Sequence, residues 1–479
     1  MSEKFHGVAS SAIALIMAAM SISATAAALP APGPLPPADN QKLARDILRD
    51  IVAVHSVHDV GTKEVADVMA KYLLAGGFAA ADVMVVPERL YPKQVNVVVR
   101  LHGKGKGKPV MWICHLDIVE AKAEDWTLPP FKLTEKDGYF YGRGTTDMKD
   151  EDAAVAAALI RLKKEGFVPD RDIIVAFTAD EEVGLEQDGP GFLLKEHRDL
   201  VDAGLVINPD GGSGEFENGK RLDFGVETSQ KTYVTFTLDV TNKGGHSSEP
   251  RPDNAIYELA EGLVKLSHYQ FPITLNASTK MYFHEMAKLQ TGEKRADMLA
   301  VSADKPDLAA AQRLTRDATL NAILHSTCVA TMLHAGVQEN ALAAHAQAIV
   351  QCRIMPTETS PETREAIAKA VADPNIKVKQ LGAMVSAGES PPSPELMSSI
   401  EKVVHSMWPG VVVLPTMVAG ASDSIYTRNA GIPSYGVGGG WSDINDERMH
   451  GADERHETGD FYSTTEFSYR LMKELSSSK

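Results

Sequence analysis

The sequence is poor in cysteine and in basic residues, and both shortages exclude classes of protein. Three cysteines in 479 residues cannot build a disulfide framework. We expect Cys114, Cys328 and Cys352 to be buried free thiols, Cys328 in a helix and the others in strands. Lysine and arginine total 48 against 64 aspartate and glutamate residues, a formal net charge of −16. This acidic balance argues against nucleic acid and anionic membrane surfaces as partners.

Long apolar runs are also missing, except near the N-terminus. After residue 28 no segment reaches the 18 or more continuous apolar residues that a membrane-spanning helix needs. At the start, Lys4 precedes an apolar run at 8–22, and the small residues 24–28 follow it. This pattern is typical of a cleaved export signal, with an uncleaved N-terminal anchor as the alternative. We therefore expect residues 1–28 to be removed and the mature protein to be periplasmic or secreted.

The length of the chain and the order of its predicted elements indicate two domains. A Pro-rich spacer at 29–39 precedes strands that alternate with helices over 40–229, which predicts an α/β domain with a mostly parallel sheet. Near residue 230 the pattern changes to half-exposed strands and a helix-rich stretch at 281–334. We interpret residues 230–382 as an inserted α+β domain, after which residues 383–479 complete the first domain.

Polar residues cluster where the predicted strands end, which is where α/β folds bind ligands. His115 and Asp117 close an apolar strand and leave the same face of it, so His115 is either a metal ligand or a satisfied polar residue. Asp147 follows a glycine-rich loop at a helix start, where capping alone would also favour an acid. Three acids at 180–182 end another apolar strand, and Asp210 ends a third. A divalent cation would relieve their repulsion, although a solvated acidic turn is the alternative.

A second imidazole, His450, lies in a loop near the C-terminus and completes a series of motifs. The motifs, in chain order, are HLD at 115–117, DWTLPPF at 125–131, DGYFYGRGTTDMKD at 137–150, TADEEVG at 178–184, GGHSS at 244–248 and HGADE at 450–454. In this series the chain resembles the di-zinc exopeptidase and deacylase family of glutamate carboxypeptidase, aminoacylase, succinyl-diaminopimelate desuccinylase and carnosine dipeptidase. The resemblance spans residues 41–475. It implies a zinc-exopeptidase-like α/β catalytic domain with a mostly parallel central sheet and an inserted α+β lid/dimerisation domain.

The resemblance also implies a site for two zinc ions whose ligands are nitrogen and oxygen atoms. The ligands would be His115 and Asp210 for one ion, Glu182 and His450 for the other, and Asp147 as the bridge between them. Manganese or cobalt would suit the same ligands. Glu181 would act as general base on a water shared by both ions, and Asp117 would orient His115.

The resemblance assigns further roles to residues of the inserted domain and the pocket. His246 would stabilise the tetrahedral oxyanion and reach the active site of a partner subunit, which implies a homodimer formed through the lid. The alternative is a loop histidine that caps a helix or faces solvent. Arg353 would clamp a substrate carboxylate, for which a guanidinium is well suited, unless it forms a structural ion pair. Asn340 and Ser422 would bind substrate.

Together these expectations describe an exported di-zinc metallohydrolase that cleaves amide bonds of small peptides, of carboxypeptidase or dipeptidase type. A hydroxide bridging the metals would attack, with Glu181 as the base. An N-acyl-amino-acid deacylase of aminoacylase type would use the same residues and is the alternative. A non-catalytic binding protein on this scaffold is a remote alternative, because it should have lost Glu181 or a ligand. The expected partners are a small peptide or N-acyl amino acid and a second copy of the chain, without nucleic acid or membrane.

Overall fold

The structure is a computed structural model that describes residues 29–183, 188–418 and 420–477. The predicted export signal at 1–28 lies outside the described residues. Within the described part of the chain, no helix is both long enough and apolar enough to cross a membrane.

The first part of the main domain alternates helices and strands, as its apolar runs predict. Its helices are α1 (Ala38–Val52), α2 (Lys63–Ala75), α3 (Lys149–Lys164), α4 (Gly189–Glu196) and α5 (Arg198–Val201). Its strands are β1 (Val83–Pro87), β2 (Val95–Leu101), β3 (Val110–His115), β4 (Thr134–Lys136), β5 (Tyr139–Tyr141), β6 (Ile173–Thr178), β7 (Leu205–Asn208), β8 (Gly214–Glu217) and β9 (Lys220–Gln230). The apolar strands predicted before the acids at 180–182 and before Asp210 are thus found as β6 and β7.

An inserted domain follows, and the chain then returns to the main domain. The inserted elements are β10 (Thr232–Thr241), β11 (Gly245–His246), α6 (Ala255–Ser267), α7 (Ala277–Met286), α8 (Gly292–Ser302), α9 (Leu308–Leu314), α10 (Ala318–Leu324), β12 (Thr327–Ala335), β13 (Ala341–Leu342), β14 (His345–Ile354), α11 (Ser360–Val371) and β15 (Lys377–Leu381). The returning elements are α12 (Pro394–Met407), β16 (Val412–Val418), α13 (Ser424–Asn429), β17 (Ser434–Gly436), β18 (Trp441–Asp443), β19 (Arg455–Glu457) and α14 (Thr458–Ser476).

The main domain is built on a ten-stranded mixed sheet in the order β1-β2-β6-β3-β7-β17-β9-β8-β18, with β16 paired to β9. The pairs β6–β3, β3–β7 and β7–β17 at its centre are parallel, whereas β1–β2 and β2–β6 at one side are antiparallel. The carboxyl ends of parallel strands meet at one edge of a sheet. The residues that end or follow β3, β6 and β7 therefore come together.

Helices cover both faces of this sheet, which explains why its central strands are continuous apolar runs. On one face α1, α3 and α14 pack around large side chains such as Trp112 and Phe177. On the other face Phe192 of α4 packs against Met111 and Ile113 of β3. This two-sided packing fixes the strand ends that carry the polar residues.

The inserted domain has its own antiparallel sheet, in the order β12-β14-β10-β15. Helices α6 and α11 pack on it, and α7 to α10 form a separate apolar cluster. The predicted helix-rich stretch at 281–334 is wrong beyond α10, because residues 327–335 form strand β12. Most of β12 is exposed, so it lacks the apolar alternation that would have indicated a strand.

Two of the three cysteines form a disulfide, so the prediction of three free thiols is wrong for Cys328 and Cys352. Cys328 lies in β12 rather than in a helix, and Cys352 of β14 is its direct neighbour across the sheet, with Cα atoms 4.1 Å apart. The pairing depends on the register of two strands, which no local sequence pattern reveals. Cys114 is a buried free thiol, as predicted.

We expect the denatured, unreduced protein to present one reactive thiol per chain, and the reduced protein three, because Cys114 is the free cysteine. A thiol assay in denaturant, before and after reduction, measures both values. A Cys114→Ser variant with no reactive thiol before reduction is the control. Three reactive thiols in protein made in an oxidising compartment would contradict the disulfide. Reduction of the Cys328–Cys352 disulfide should lower the free energy of unfolding by about 2–4 kcal/mol.

Candidate metal centre

Five predicted ligands lie in two overlapping groups at the edge of the parallel strands. Ligand atoms of His115, Asp147 and Asp210 lie within 4.8 Å of one another, and so do those of Asp147, Glu182 and His450. Asp147 belongs to both groups, with Oδ1 3.1 Å from His115 Nε2 and Oδ2 2.7 Å from His450 Nε2. A carboxylate whose two oxygens face two imidazoles is placed to bridge two cations.

Four of the five predicted ligands end, follow or precede an element that the sequence specifies locally, and the fifth lies in a loop. His115 is the last residue of β3, while Glu182 and Asp210 follow β6 and β7. Asp147 lies just before α3, where the helix dipole favours a negative charge. His450 is exposed in the loop before β19 and has a φ of 62°, in the left-handed region that is uncommon for residues with a side chain.

Asp117 acts on this site through both its backbone and its side chain. Its carbonyl oxygen lies 3.1 Å from Nδ1 of His115, which places the proton on Nδ1 and leaves Nε2 free to bind a cation. Its carboxylate lies 3.7 Å from the same nitrogen. The carboxylate also accepts hydrogen bonds from the backbone N–H groups of Glu181 and Glu182, at 3.2 and 3.0 Å. Asp117 therefore orients the imidazole and also holds the turn that carries both glutamates.

The electrostatics of the site favour a bound cation. Burial raises the pKa of Asp210 and of Glu182 to about 7. Burial also acts to raise the pKa of Asp147, but hydrogen bonds with His115 and His450 lower it overall. The hydrogen bond with Asp147 raises the pKa of His450 to about 9. A divalent cation between these groups would favour ionised acids and neutral imidazoles, which are the ligand forms.

The donor atoms fit a pair of divalent cations. Oε2 of Glu182 lies 3.2 Å from Nε2 of His450. Oε1 of Glu182 is buried and has no hydrogen-bond partner among the described residues, so it is available as a ligand. Imidazole nitrogens and carboxylate oxygens are typical ligands of catalytic zinc and also suit manganese or cobalt. The residues present thus fit two metal ions that share Asp147.

Glu181 faces this centre without belonging to either ligand group. It lies half-buried in the short turn after β6. Burial raises its pKa well above the usual range; the nearby charge of Asp210 raises it further, and that of His115 lowers it. A carboxyl group with a raised pKa beside a metal centre is suited to accept and return a proton.

The predicted lid residues belong to the inserted domain, whereas the predicted metal ligands belong to the main domain. Within the described ranges, none of His246, Asn340 and Arg353 hydrogen-bonds to a metal-ligand residue. The exposed His246 has Nδ1 2.8 Å from Oγ of Ser248, and the carbonyl of Asn340 accepts the N–H of Ser247 at 3.1 Å. His246 and Asn340 are therefore neighbours where β11 pairs with β13.

The side chains of Arg353 and Ser422 differ in whether they already have hydrogen-bond partners within the protein. The guanidinium of Arg353 lies 4.9 Å from the ring centre of Tyr233. Its buried Nη1 has no hydrogen-bond partner in the described parts of the chain, and no acid there lies at ion-pair distance. Ser422 is buried and donates its hydroxyl to Oε1 of Gln230 at 3.0 Å. Arg353 is thus available to a ligand, whereas Ser422 is committed to Gln230.

Several supporting residues have no signal in the sequence pattern. Nδ1 of His58 lies 2.9 Å from Oδ1 of Asp180. The buried His456 lies between Asp150 and Asp460, 2.7 and 2.9 Å from their carboxylates. Asp150 is close to Asp147 in sequence, but its partner is 306 positions away, so only the fold reveals the pair.

Comparisons with known proteins place the chain in a family. The family described as Peptidase family M20/M25/M40 matches residues 111–474. An N-fatty-acyl-amino acid synthase/hydrolase of Danio rerio is 28% identical, over 76% of this chain and 72% of its own length. A probable carboxypeptidase S-like protein of Dictyostelium discoideum is 26% identical, over 76% of this chain and 71% of its own. An M20 family metallo-carboxypeptidase of Sulfolobus solfataricus has a TM-score of 0.63 at 16% identity, covering 90% of this chain and 99% of that one.

The family match over residues 111–474 spans the positions of both ligand groups and of Glu181. The structural likeness, at 16% identity, confirms the predicted fold of a catalytic domain with an inserted domain. The resemblance seen in the six motifs is therefore confirmed. This chain belongs to the peptidase family M20/M25/M40 and is a metal-dependent hydrolase of peptide or amide bonds.

Proposed function

We propose that the protein is an exported di-zinc exopeptidase, of carboxypeptidase or dipeptidase type, that cleaves small peptides beside a free carboxylate. The observation that carries this proposal is the carboxylate of Asp147 shared by two ligand groups, with Glu181 next to them. When bound, the metal ions would polarise the scissile carbonyl and acidify the attacking water.

The residues of the chain supply the proton transfer. Glu181 accepts the proton of the attacking water and delivers it to the leaving nitrogen. Its raised pKa favours the first step, because a carboxylate with a higher pKa is the stronger base. Asp117 keeps Glu181 in place through the backbone hydrogen bond of 3.2 Å.

The surroundings of Arg353 favour a substrate that carries a free carboxylate. Burial lowers the pKa of its guanidinium, and the described residues offer it no acid. The buried ammonium of Lys231 adds positive charge nearby and donates to the carbonyl of His325 at 2.5 Å. A desolvated guanidinium gains most from a carboxylate that it can bind with two hydrogen bonds.

We expect Arg353→Ala to raise KM about tenfold or more for peptides with a free C-terminal carboxylate, because a hydrogen bond to a charged group contributes about 1.5–3 kcal/mol. The same peptides with a C-terminal amide should be poor substrates of the wild type and of Arg353→Ala, and their KM should be the same for the two proteins. Initial rates of the zinc-loaded protein on a peptide panel measure this. Arg364→Ala, at an exposed position of α11, is the matched control. An equal rise in KM for the amides would remove this role from Arg353.

The cavity beside the metal centre favours peptides over N-fatty-acyl amino acids. It has a volume of about 340 Å³ and reaches Asp210, with Glu215, Asp443 and Glu447 in its wall. Its two arginines, at 448 and 455, are both paired with Asp446. These acidic side chains would pair with a cationic side chain of a peptide, whereas a long acyl chain would leave them without a partner; apolar side chains such as Phe216, Trp441 and Met449 also line the cavity.

The similarity to an N-fatty-acyl-amino acid hydrolase keeps the deacylase as the second candidate. N-acyl amino acids also carry the carboxylate that Arg353 would bind. Adding N-fatty-acyl and N-acetyl amino acids to the peptide panel separates the two candidates. A higher kcat/KM for the acylated compounds would establish the deacylase instead.

We also propose that the protein is a homodimer formed through the inserted domain. β12 is the edge strand of the inserted sheet, and its Val329, Met332 and Leu333 side chains are 59%, 52% and 54% exposed. An apolar edge strand is a pairing surface unless another chain covers it. A second copy seated there would allow the exposed His246 to serve the metal centre of its partner.

Two features support export to an oxidising compartment. The sequence of residues 1–28 has the pattern of an export signal. The Cys328–Cys352 disulfide is a bond that persists in oxidising compartments and is rare in the cytosol. Fractionation of cells that express the full-length protein, with N-terminal sequencing of the product, tests this; an intact N-terminus in the cytosol would contradict export.

A further inference from the structure

We propose that the buried ion pair of Arg143 and Glu454 is a positioning device that sets His450 against Asp147 and so builds the second metal position. This inference rests on the proposed metal centre. Arg143 lies four residues before Asp147, and Glu454 lies four residues after His450. The pair thus joins the two loops that carry these ligands.

Glu454 is fully buried, and the loop that carries Asp147 occupies both of its carboxylate oxygens. Oε2 lies 2.5 Å from Nη1 of Arg143 and accepts the N–H of Gly144 at 3.2 Å. Oε1 accepts the N–H of Thr146 at 2.7 Å and its hydroxyl at 3.0 Å. Four donors from one short loop on one carboxylate fix that loop, and with it the backbone next to Asp147.

Arg143 holds the other loop in the same way. Its Nη2 donates to the carbonyl oxygens of His450 and Gly451, at 3.2 and 3.1 Å. The guanidinium is buried and lies 5.2 Å from the ring centre of Trp126. His450 has its left-handed backbone conformation at this point, so the contact with its carbonyl helps to hold an otherwise unfavourable geometry.

The two metal positions depend on this pair to different extents. His115 and Asp210 are set by the parallel strands β3 and β7, which hydrogen-bond directly to each other. His450 has no strand of its own and lies in a loop that Arg143 holds. Loss of the pair should therefore weaken the position of Glu182 and His450 much more than that of His115 and Asp210. A pair that only stabilised the fold would leave the ratio of the two affinities unchanged.

The test uses the full-length chain with Glu454→Gln and with Arg143→Lys. In Glu454→Gln an NH₂ group replaces one acceptor oxygen and faces either Arg143 or Thr146, donor towards donor. Arg143→Lys keeps the charge, but its single nitrogen cannot reach Glu454 and both carbonyl oxygens. Zinc bound per chain is measured by equilibrium dialysis against buffered zinc, and thermal melting is followed on the same samples.

We expect both variants to keep one tight zinc ion and to bind the second about 10- to 100-fold more weakly, as for other groups that orient metal ligands. Glu466→Gln, which alters a remote pair with Arg161 (2.7 Å), should bind two ions like the wild type. Two zinc ions at wild-type affinity in folded Arg143→Lys would overturn the proposal, and so would equal weakening of both positions.

If the first two variants do not fold, Thr146→Val, which removes one hydroxyl contact to Glu454, is tested instead, and the same weakening of the second zinc ion is required of it. A wild type that binds fewer than two ions would instead contradict the metal centre itself.

Discussion

Glu181→Gln is expected to lower kcat by about 10²- to 10⁴-fold while two metal ions stay bound. Glutamine has nearly the size of glutamate but cannot accept the proton of the attacking water. Glu181 belongs to neither ligand group, so its replacement leaves the ligands in place. The measurement combines initial rates on the best peptide with zinc analysis of the same sample.

The neighbouring residue provides a matched control for this variant. Glu182→Gln makes the same chemical change one position further on, at a side chain whose Oε2 lies 3.2 Å from His450. It should lose zinc as well as activity, whereas Glu181→Gln should lose activity alone. A Glu181→Gln variant that hydrolyses peptides within a factor of about ten of the wild type would remove Glu181 from the role of base.

Mixing two inactive variants is expected to restore hydrolysis if His246 acts on the partner subunit. His246→Ala should lower kcat by about 10²- to 10³-fold, because it removes a donor to the developing oxyanion. In a hybrid dimer with Glu181→Gln, one site combines the intact Glu181 of one chain with the intact His246 of the other. Random exchange of subunits should then restore about a quarter of the wild-type activity, since half of the dimers are hybrids with one good site.

The control for this experiment is a mixture of Glu181→Gln with Glu182→Gln. Both changes lie in the same turn of the main domain, so no hybrid contains a complete site. Differently tagged chains show whether hybrids have formed. Hybrids of His246→Ala and Glu181→Gln that form but stay inactive would show that His246 does not act across the interface.

The grouping of four of the five proposed ligands could be predicted because each of these four lies where a local sequence signal ends, whereas the loop residue His450 is assigned from the family resemblance. His115, Glu182 and Asp210 terminate apolar runs that are recognisable as buried strands, and parallel neighbours bring such ends together. Asp147 follows a glycine-rich loop at the start of a helix, and both features are visible in the sequence. The centre of the sheet follows from these runs, but the antiparallel pairing of β2 with β1 and with β6 does not, since an apolar run does not encode strand direction.

The contacts between distant segments could not be predicted. The Cys328–Cys352 disulfide depends on the register of β12 and β14, and β12 itself is too exposed to show a strand pattern. The partners Arg143 and Glu454 are 311 positions apart, so their pairing depends on how two loops pack. Both residues lie in recognised motifs, yet only the packed structure shows what they do.

Anomalous scattering at the zinc edge, from crystals of the zinc-loaded protein, tests the shared metal centre most directly. We expect two peaks per chain, about 3.5–4 Å apart, with the carboxylate of Asp147 between them. One peak should lie against His115 and Asp210, and the other against Glu182 and His450. A single peak, or two peaks that do not share Asp147, would contradict the binuclear centre on which the proposed hydrolysis depends.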